Sequence, residues 1–278
     1  RKVRLASILG TWQSTLTNFK YISKRWKDNC EEERLLGVSL TGIMDSTLTN
    51  GKDDGLEGRL ERLRDVAVET NRIHAENIGI PQSAAVTCVK PSGTVSQLVD
   101  SASGIHARHN PYYIRTVRAD KKDPLAKAMV AANFPAEDDV MKPEHTYVFS
   151  FPMKADPGAV FRTDMTAIEQ LELWLKYQMH WCEHKPSVTI SVKEHEWMEV
   201  GAWVYKNWEW MSGVSFLPFS DHTYRQAPYQ DCSKEEYEEF KTKMPEAVNW
   251  AELLAQFETT DMTEGAQELA CVAGNCEI

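Results

Sequence analysis

Ala84-Ala-Val-Thr-Cys-Val-Lys90-Pro91-Ser92-Gly93-Thr94-Val95-Ser96 reads as a short β-prone run that stops at proline and passes through Ser-Gly-Thr into a helix start. A strand that ends this way turns free backbone N–H groups, two or three hydroxyls and the positive end of a helix toward one point in space. Such a point suits a phosphate. The same residues also spell an ordinary helix N-cap, so at this stage both readings stand.

The fold class follows from what lies on either side. Upstream, residues 3–19 place Leu5, Ile8, Leu9, Trp12, Leu16 and Phe19 on one helical face, and Leu56, Leu60, Leu63, Ala67 and Thr70 repeat that spacing until Gly79-Ile-Pro81 ends the run. Both are expected to be core-facing helices. Downstream, short strand-like runs at Tyr112–Val117, Thr146–Phe151, Ser187–Val192 and Val214–Leu217 alternate with helical stretches near 124–132, 166–182 and 195–208. Thr166-Ala-Ile-Glu169 has capping-box spacing, as has Ser233-Lys-Glu-Glu236. Alternation of this kind predicts a largely parallel α/β sheet or barrel. After Pro218 the pattern changes to a charged helical stretch and then a Gly/Thr/Glu-rich end, a peripheral helical cap followed by a flexible tail.

Composition narrows the function class. The 278 residues, 42% hydrophobic and 26% charged, are enough for one large or two modest domains. No run approaches the ~20 apolar residues of a membrane span, and Arg1-Lys-Val-Arg4 leads into an amphipathic pattern rather than a signal-peptide core. The expectation is a cytoplasmic protein. Its first residue is not Met and the helical pattern is already running there, as in a fragment of a longer chain. A net charge of −10 argues against direct nucleic-acid binding, which needs clustered Lys and Arg. The six cysteines at 30, 88, 182, 232, 271 and 276 are too sparse for a disulfide scaffold. Cys271-Val-Ala-Gly-Asn-Cys276 is the one close pair, and a dithiol at a chain end suits thiol–disulfide relay.

Several motifs, in order, then resemble one family. Leu35-Leu-Gly-Val-Ser-Leu-Thr-Gly-Ile-Met-Asp45, the Pro91–Ser96 loop, Gln97-Leu-Val-Asp-Ser-Ala-Ser-Gly-Ile-His106 with Ala-Arg-His-Asn-Pro-Tyr-Tyr-Ile-Arg-Thr-Val-Arg118, Pro186-Ser-Val-Thr-Ile190, Ser215-Phe-Leu-Pro218 and the tail dithiol together resemble the C-terminal portion of the ribonucleotide reductase large subunit. The Gly-Thr form of the loop is most similar to the adenosylcobalamin-dependent class II. A glycyl-radical enzyme is disfavoured because the tail lacks the glycine motif of that class.

The resemblance implies that residues 1–218 form the C-terminal half of a ten-stranded α/β barrel, 219–258 a peripheral helical region and 259–278 a flexible redox tail. It implies that Ser92, Gly93, Thr94, Val95 and Ser96 bind the substrate's phosphates, and that Cys271 and Cys276 re-reduce the active-site disulfide after each turnover, using a thioredoxin-type protein reductant. The reaction would convert ribonucleoside di- or triphosphates to deoxyribonucleotides by thiyl-radical chemistry, with adenosylcobalamin as cofactor. The radical-bearing Asn-x-Cys-x-Glu motif and the allosteric region are not found in these residues, so the partner would be a missing N-terminal half, and this span alone should be inactive. No cobalamin-contacting residue is assigned. The competing reading is a non-catalytic nucleotide- or phosphate-binding module with an incidental cysteine pair.

Other suggestive residues take plainer readings. Asn29-Cys30-Glu31 has the wrong spacing for the radical motif and reads as part of a charged loop, with Cys30 structural or exposed. His180-Trp-Cys-Glu-His184 offers N and S atoms that point apart, so no metal site is expected. Cys88 reads as core. His106, Arg108, His109, Arg115 and Arg118 could line a polyanion pocket, although an alternating Arg-Thr-Val-Arg strand with one solvated face explains two of them equally well. Trp197, Trp203, Trp208 and Trp210 read mostly as packing under helices.

Overall fold

The computed structural model describes residues 1–93, 95–219 and 224–258. In chain order the elements are α1 (Lys2–Gln13), α2 (Lys24–Glu33), β1 (Val38–Ser39), α3 (Leu56–Ile78), β2 (Thr87–Cys88), α4 (Val95–Leu98), β3 (Tyr112–Asp120), α5 (Pro124–Ala131), β4 (Ala136–Asp138) and β5 (Thr146–Lys154). They continue with α6 (Ala167–His180), β6 (Val188–Val192), α7 (Trp197–Lys206), β7 (Val214–Pro218), β8 (Tyr229–Asp231), α8 (Lys234–Thr242) and α9 (Trp250–Ala255). They form two compact units, one of residues 1–108 and 156–220, the other of 109–155 and 221–278.

The first unit is α/β. β1 pairs in parallel with β2, Val38 opposite Thr87, and β6 with β7, Val188 opposite Val214. A bond from the Ser187 N–H to the Val89 carbonyl (2.9 Å) ties the β2 end to the start of β6. Helices α3 and α6 cover these strands. Leu56, Leu60 and Ala67 of α3 and Leu171, Trp174 and Tyr177 of α6 are all buried in one core with Val86, Val89, Ile190 and Trp181, and large apolar side chains in such positions contribute about 1.5–3 kcal/mol each. The buried rings also meet their polar needs: the indole of Trp174 donates to the Pro186 carbonyl (3.2 Å), and Tyr177 Oη donates to that of Thr49 (2.8 Å). Both capping boxes form. Thr166 and Glu169 exchange side-chain and backbone bonds at the start of α6, and Ser233 and Glu236 do so at α8.

Helix α1 departs from expectation. It ends at Gln13 instead of 19, because the hydroxyls of Ser14 and Thr15 turn back onto the Thr11 and Trp12 carbonyls (2.7 Å each) and take up the helix end. Its buried residues are Ser7 and Thr11, while Leu5, Leu9, Trp12 and Leu16 are exposed by half or more. The contact with α3 is polar: Asn71 Nδ2 donates to Thr11 Oγ1 and Ser83 Oγ (2.9 Å each), and Asn71 Oδ1 accepts the Ser83 N–H (2.9 Å). The Asn71 bonds hold α1 by its small polar face through Thr11, while the buried Ser7 Oγ has no hydrogen-bond partner among the described residues, and the apolar stripe is left without cover among the described residues. Asn29-Cys30-Glu31 lies inside α2, not in a loop. Ser23 caps that helix through the Trp26 N–H, and Arg34 closes it in the left-handed conformation at φ 46°; its charge hides the helix from a periodicity reading. Trp203 is buried as expected, but Trp197, Trp208 and Trp210 are exposed.

The second unit is antiparallel, where a largely parallel sheet or barrel was expected. β3 and β5 pair along nine residues, from Tyr112 opposite Lys154 to Asp120 opposite Thr146, with β4 on the far side of β5 and β8 on the far side of β3. Asp123 caps α5, with Pro124 in its first turn. The ring of Trp250 in α9 sits 5.6 Å from that of Phe134, just after α5.

Candidate functional site

The strand that leads into the Pro91–Ser96 loop is held on both edges. Glu183, just beyond α6, accepts the Val86 and Thr87 N–H groups (2.9 and 3.3 Å), Thr87 Oγ1 donates to the Trp181 carbonyl (2.6 Å), and the Trp181 indole donates to the Cys88 carbonyl (2.7 Å). The Lys90 N–H donates to Ser39 Oγ (3.1 Å) on the neighbouring strand. The backbone therefore arrives at Pro91 in a fixed place.

Beyond Pro91 the loop closes on itself. Ser92 Oγ accepts the Ser96 N–H (2.8 Å), Ser96 Oγ donates to the Ser92 carbonyl (2.8 Å), and the Ser92 N–H donates to Ser103 Oγ (2.8 Å). Ser92 thus engages the Ser96 N–H inside the first turn of α4, and Ser96 is buried. Gly93 is exposed, with nothing within 4 Å of where a Cβ would stand. Thr94 lies outside the described residues, as do Cys271 and Cys276.

Residues 100–108 form the floor beneath the loop. Gly104 has φ +56°, and a Cβ there would stand 2.6 Å from the Lys90 carbonyl oxygen, so the close approach admits only glycine. The Gly104 N–H donates to Thr41 Oγ1 (2.9 Å), which itself donates to the Ala102 carbonyl (2.9 Å). Asp45 accepts the Ala102 N–H (2.7 Å) and the Arg108 Nε–H (2.8 Å), and Arg108 reaches on to the Asp100 carboxylate and carbonyl (3.1 and 2.6 Å). Asp45 and buried Arg108 thereby lock Asp100 in its left-handed conformation at φ 45°.

The five side chains suggested for a polyanion pocket already have partners within their own units. Arg108 is committed to Asp45 and Asp100. In the other unit, Arg115 donates to the Pro228 carbonyl (3.0 Å) and lies 4.4 Å over the Tyr229 ring, Arg118 pairs with Asp139 (2.7 Å), and His109 with Asp231 (2.5 Å). His106 has both ring nitrogens engaged, with Ser103 and Thr189. A cation beside the loop is Lys90, whose exposed side chain reaches the Lys185 carbonyl (3.4 Å). Cys88 is buried, and burial pushes its thiol up despite Ser39 and Lys90, which pull it down; burial raises the Cys182 thiol strongly. Neither is a ready thiolate at neutral pH. His180 faces Glu61 (2.9 Å) and His184 the Leu36 carbonyl (2.7 Å), so their flanking position around Cys182 does not converge. No group of three or more His, Cys, Asp or Glu that could hold a metal occurs among the described residues.

Sequence reading found the loop but missed its supports, Ser103, Gly104, Thr41 and Asp45. Their only signal was membership in the two quoted motifs, since nothing in spacing says that residue 104 passes under residue 90.

The adenosylcobalamin-dependent ribonucleoside-triphosphate reductase of Euglena gracilis is 30% identical over 257 residues, covering 90% of this chain and 35% of that protein. The enzyme of the same name from Lactobacillus delbrueckii subsp. bulgaricus is 26% identical over 278 residues, covering 89% and 37%. This chain is a homologue of their C-terminal portion. A solved B-12-dependent class II ribonucleotide reductase superposes with a TM-score of 0.76 at 23% identity, covering 92% of this chain and 39% of that one, which shows a shared fold. No protein-family model matches the chain. The chain spans about a third of the length of the ribonucleotide reductases it matches. Among the described residues no helix is long and apolar enough to cross a membrane.

Proposed function

We propose that this chain is the C-terminal part of an adenosylcobalamin-dependent ribonucleotide reductase acting on ribonucleoside triphosphates, in which residues 92–96 hold the substrate's phosphates and Cys271 and Cys276 relay electrons from a thioredoxin-type reductant. The observation that carries the reading is the loop. Its backbone is held at Lys90 by Ser39 and at Ser92 by Ser103, its Gly93 side is open, and Lys90 stands beside it. An anion docking there meets backbone already held at Lys90, Ser92 and Ser96, with one lysine beside it. The four parallel strands linked through Ser187 and Val89 are consistent with half of a ten-stranded barrel, and the bare stripe of α1 with cover from the portion that precedes in the relatives.

When bound, adenosylcobalamin would supply the radical chemistry that starts the reaction, in which removal of the ribose 3′ hydrogen allows reduction at the 2′ carbon. No cluster of described residues marks a site for that cofactor, so it is assigned no contacts here. What this chain contributes is orientation: holding the triphosphate fixes the ribose relative to reactive groups supplied by the preceding portion.

The test is Ser92→Ala and Thr94→Ala in a polypeptide that continues this chain N-terminally to the length of its relatives. Each hydroxyl lost from a phosphate is worth roughly 1.5–3 kcal/mol, so KM should rise about tenfold or more with kcat little changed. Ser92→Ala should also cost about 1 kcal/mol of stability, because the cap on Ser96 is lost. Unchanged KM and turnover in both variants would sink the phosphate assignment.

A further inference from the structure

We propose that His106 is a positioning residue that sets the conformation of the phosphate loop from the β6 strand; this rests on the loop's proposed role, and the test below separates the two. The observation is a set of hydrogen bonds that meet at Ser103, whose Oγ holds the loop and whose carbonyl faces the imidazole. The Ser92 N–H donates to Ser103 Oγ (2.8 Å). The Ser103 carbonyl lies 3.0 Å from His106 Nδ1, and His106 Nε2 lies 3.0 Å from the backbone nitrogen of Thr189 in the middle of β6.

The chemistry of the two partners fixes the ring. A carbonyl only accepts and a backbone N–H only donates, so Nδ1 carries the proton and Nε2 presents its lone pair. His106 is therefore neutral and in one tautomer, with both nitrogens used. Burial disfavours its charged form, although the Ser103 carbonyl favours it. A second proton on Nε2 would set N–H against N–H at Thr189. The ring thus bridges β6 to the residue that holds the Ser92 amide, over a separation no backbone bond covers. No other side chain spans it in the same way: Gln can offer an acceptor near the Nε2 position but not the Nδ1 donor, and Asn can offer a donor near the Nδ1 position but cannot reach Thr189.

That difference makes the role testable on the 278-residue chain itself, with inorganic triphosphate as the probe. Three variants, His106→Ala, His106→Gln and His106→Asn, are compared by calorimetric affinity for triphosphate, by amide exchange at Ser92, Ser96 and Thr189, and by thermal melting. The expected result for His106→Ala is faster exchange at all three amides and affinity weaker by about tenfold, the equivalent of about 1.4 kcal/mol of lost preorganisation. His106→Gln should restore protection at Thr189 alone, and His106→Asn at Ser92 alone. A purely structural histidine would instead show parallel loss of melting temperature and of protection throughout the unit, with no site-selective rescue, and that outcome overturns the proposal. So does wild-type exchange at Ser92 and Thr189 in His106→Ala. If the wild-type chain has no affinity for triphosphate but the exchange pattern holds, the phosphate reading of the loop falls and the positioning role of His106 stands.

Discussion

Replacing Gly104 by Ala strikes the point where the floor passes under the loop. Two costs add there. A residue with a Cβ in the left-handed region at φ +56° loses about 1–2 kcal/mol, and the new methyl would stand 2.6 Å from the Lys90 oxygen and 3.2 Å from its carbonyl carbon. Those atoms are backbone held by Ser39, so they yield only if the loop entrance shifts, at roughly 1–3 kcal/mol. A loss of about 3 kcal/mol corresponds to about 6–12 °C in melting temperature for a unit of this size. Two controls separate the terms. Gly79 closes α3 at φ +71° with nothing within 4 Å, so Gly79→Ala carries only the conformational cost of about 1–2 kcal/mol. Gly93, without a positive φ and facing open space, should change by less than about 0.5 kcal/mol. Calorimetric melting of the three variants, with amide exchange at Ser92, is the assay. If Gly104→Ala melts no lower than Gly79→Ala and Ser92 exchanges as in the wild type, the close packing of floor and loop is refuted.

Two further outcomes are expected. Because burial holds His106 below its ordinary value of 6.5, the unfolded chain takes up this proton first as pH falls; the contribution is complete above about pH 6.5 and is lost below it. Urea midpoints measured from pH 7.5 down to 5 should therefore fall more steeply for the wild type than for His106→Gln, and equal slopes would contradict the buried neutral ring. Changing Cys271 and Cys276 to Ser in the N-terminally continued polypeptide should abolish repeated turnover with a thioredoxin-type reductant, while a single turnover of prereduced enzyme survives; normal cycling would remove the relay role.

What could be read from sequence was mostly local. Thr166 with Glu169 and Ser233 with Glu236 name their helix starts because the cap is made by neighbours in the chain, and Leu56, Leu60 and Ala67 mark the inner face of α3 because a partner for that face exists within these residues. The same argument failed for Leu5, Leu9 and Trp12. Periodicity reports that a helix has an apolar face, not whether its cover lies in the same span, and here Ser7 and Thr11 take the inner side. It failed for Tyr112–Asp120 too, since strand runs do not state their direction, and the nine-residue antiparallel ladder with β5 emerges only from folding. At the site, proline, glycine and hydroxyls advertise the turn at Pro91–Ser96. The contacts that fix it come from Ser39, Ser103 and Gly104, whose places beside it depend on strand pairing and chain crossing.

Whether this chain completes a ribonucleotide reductase is decided by product formation. The 278-residue chain and a polypeptide continuing it N-terminally to the length of its relatives are each supplied with a ribonucleoside triphosphate, adenosylcobalamin and a thioredoxin-type reductant, and deoxyribonucleotide is measured. The expected result is steady formation by the longer polypeptide and none by the chain alone. Absence of deoxyribonucleotide from the longer polypeptide, under conditions in which the Euglena gracilis enzyme is active, would contradict the account.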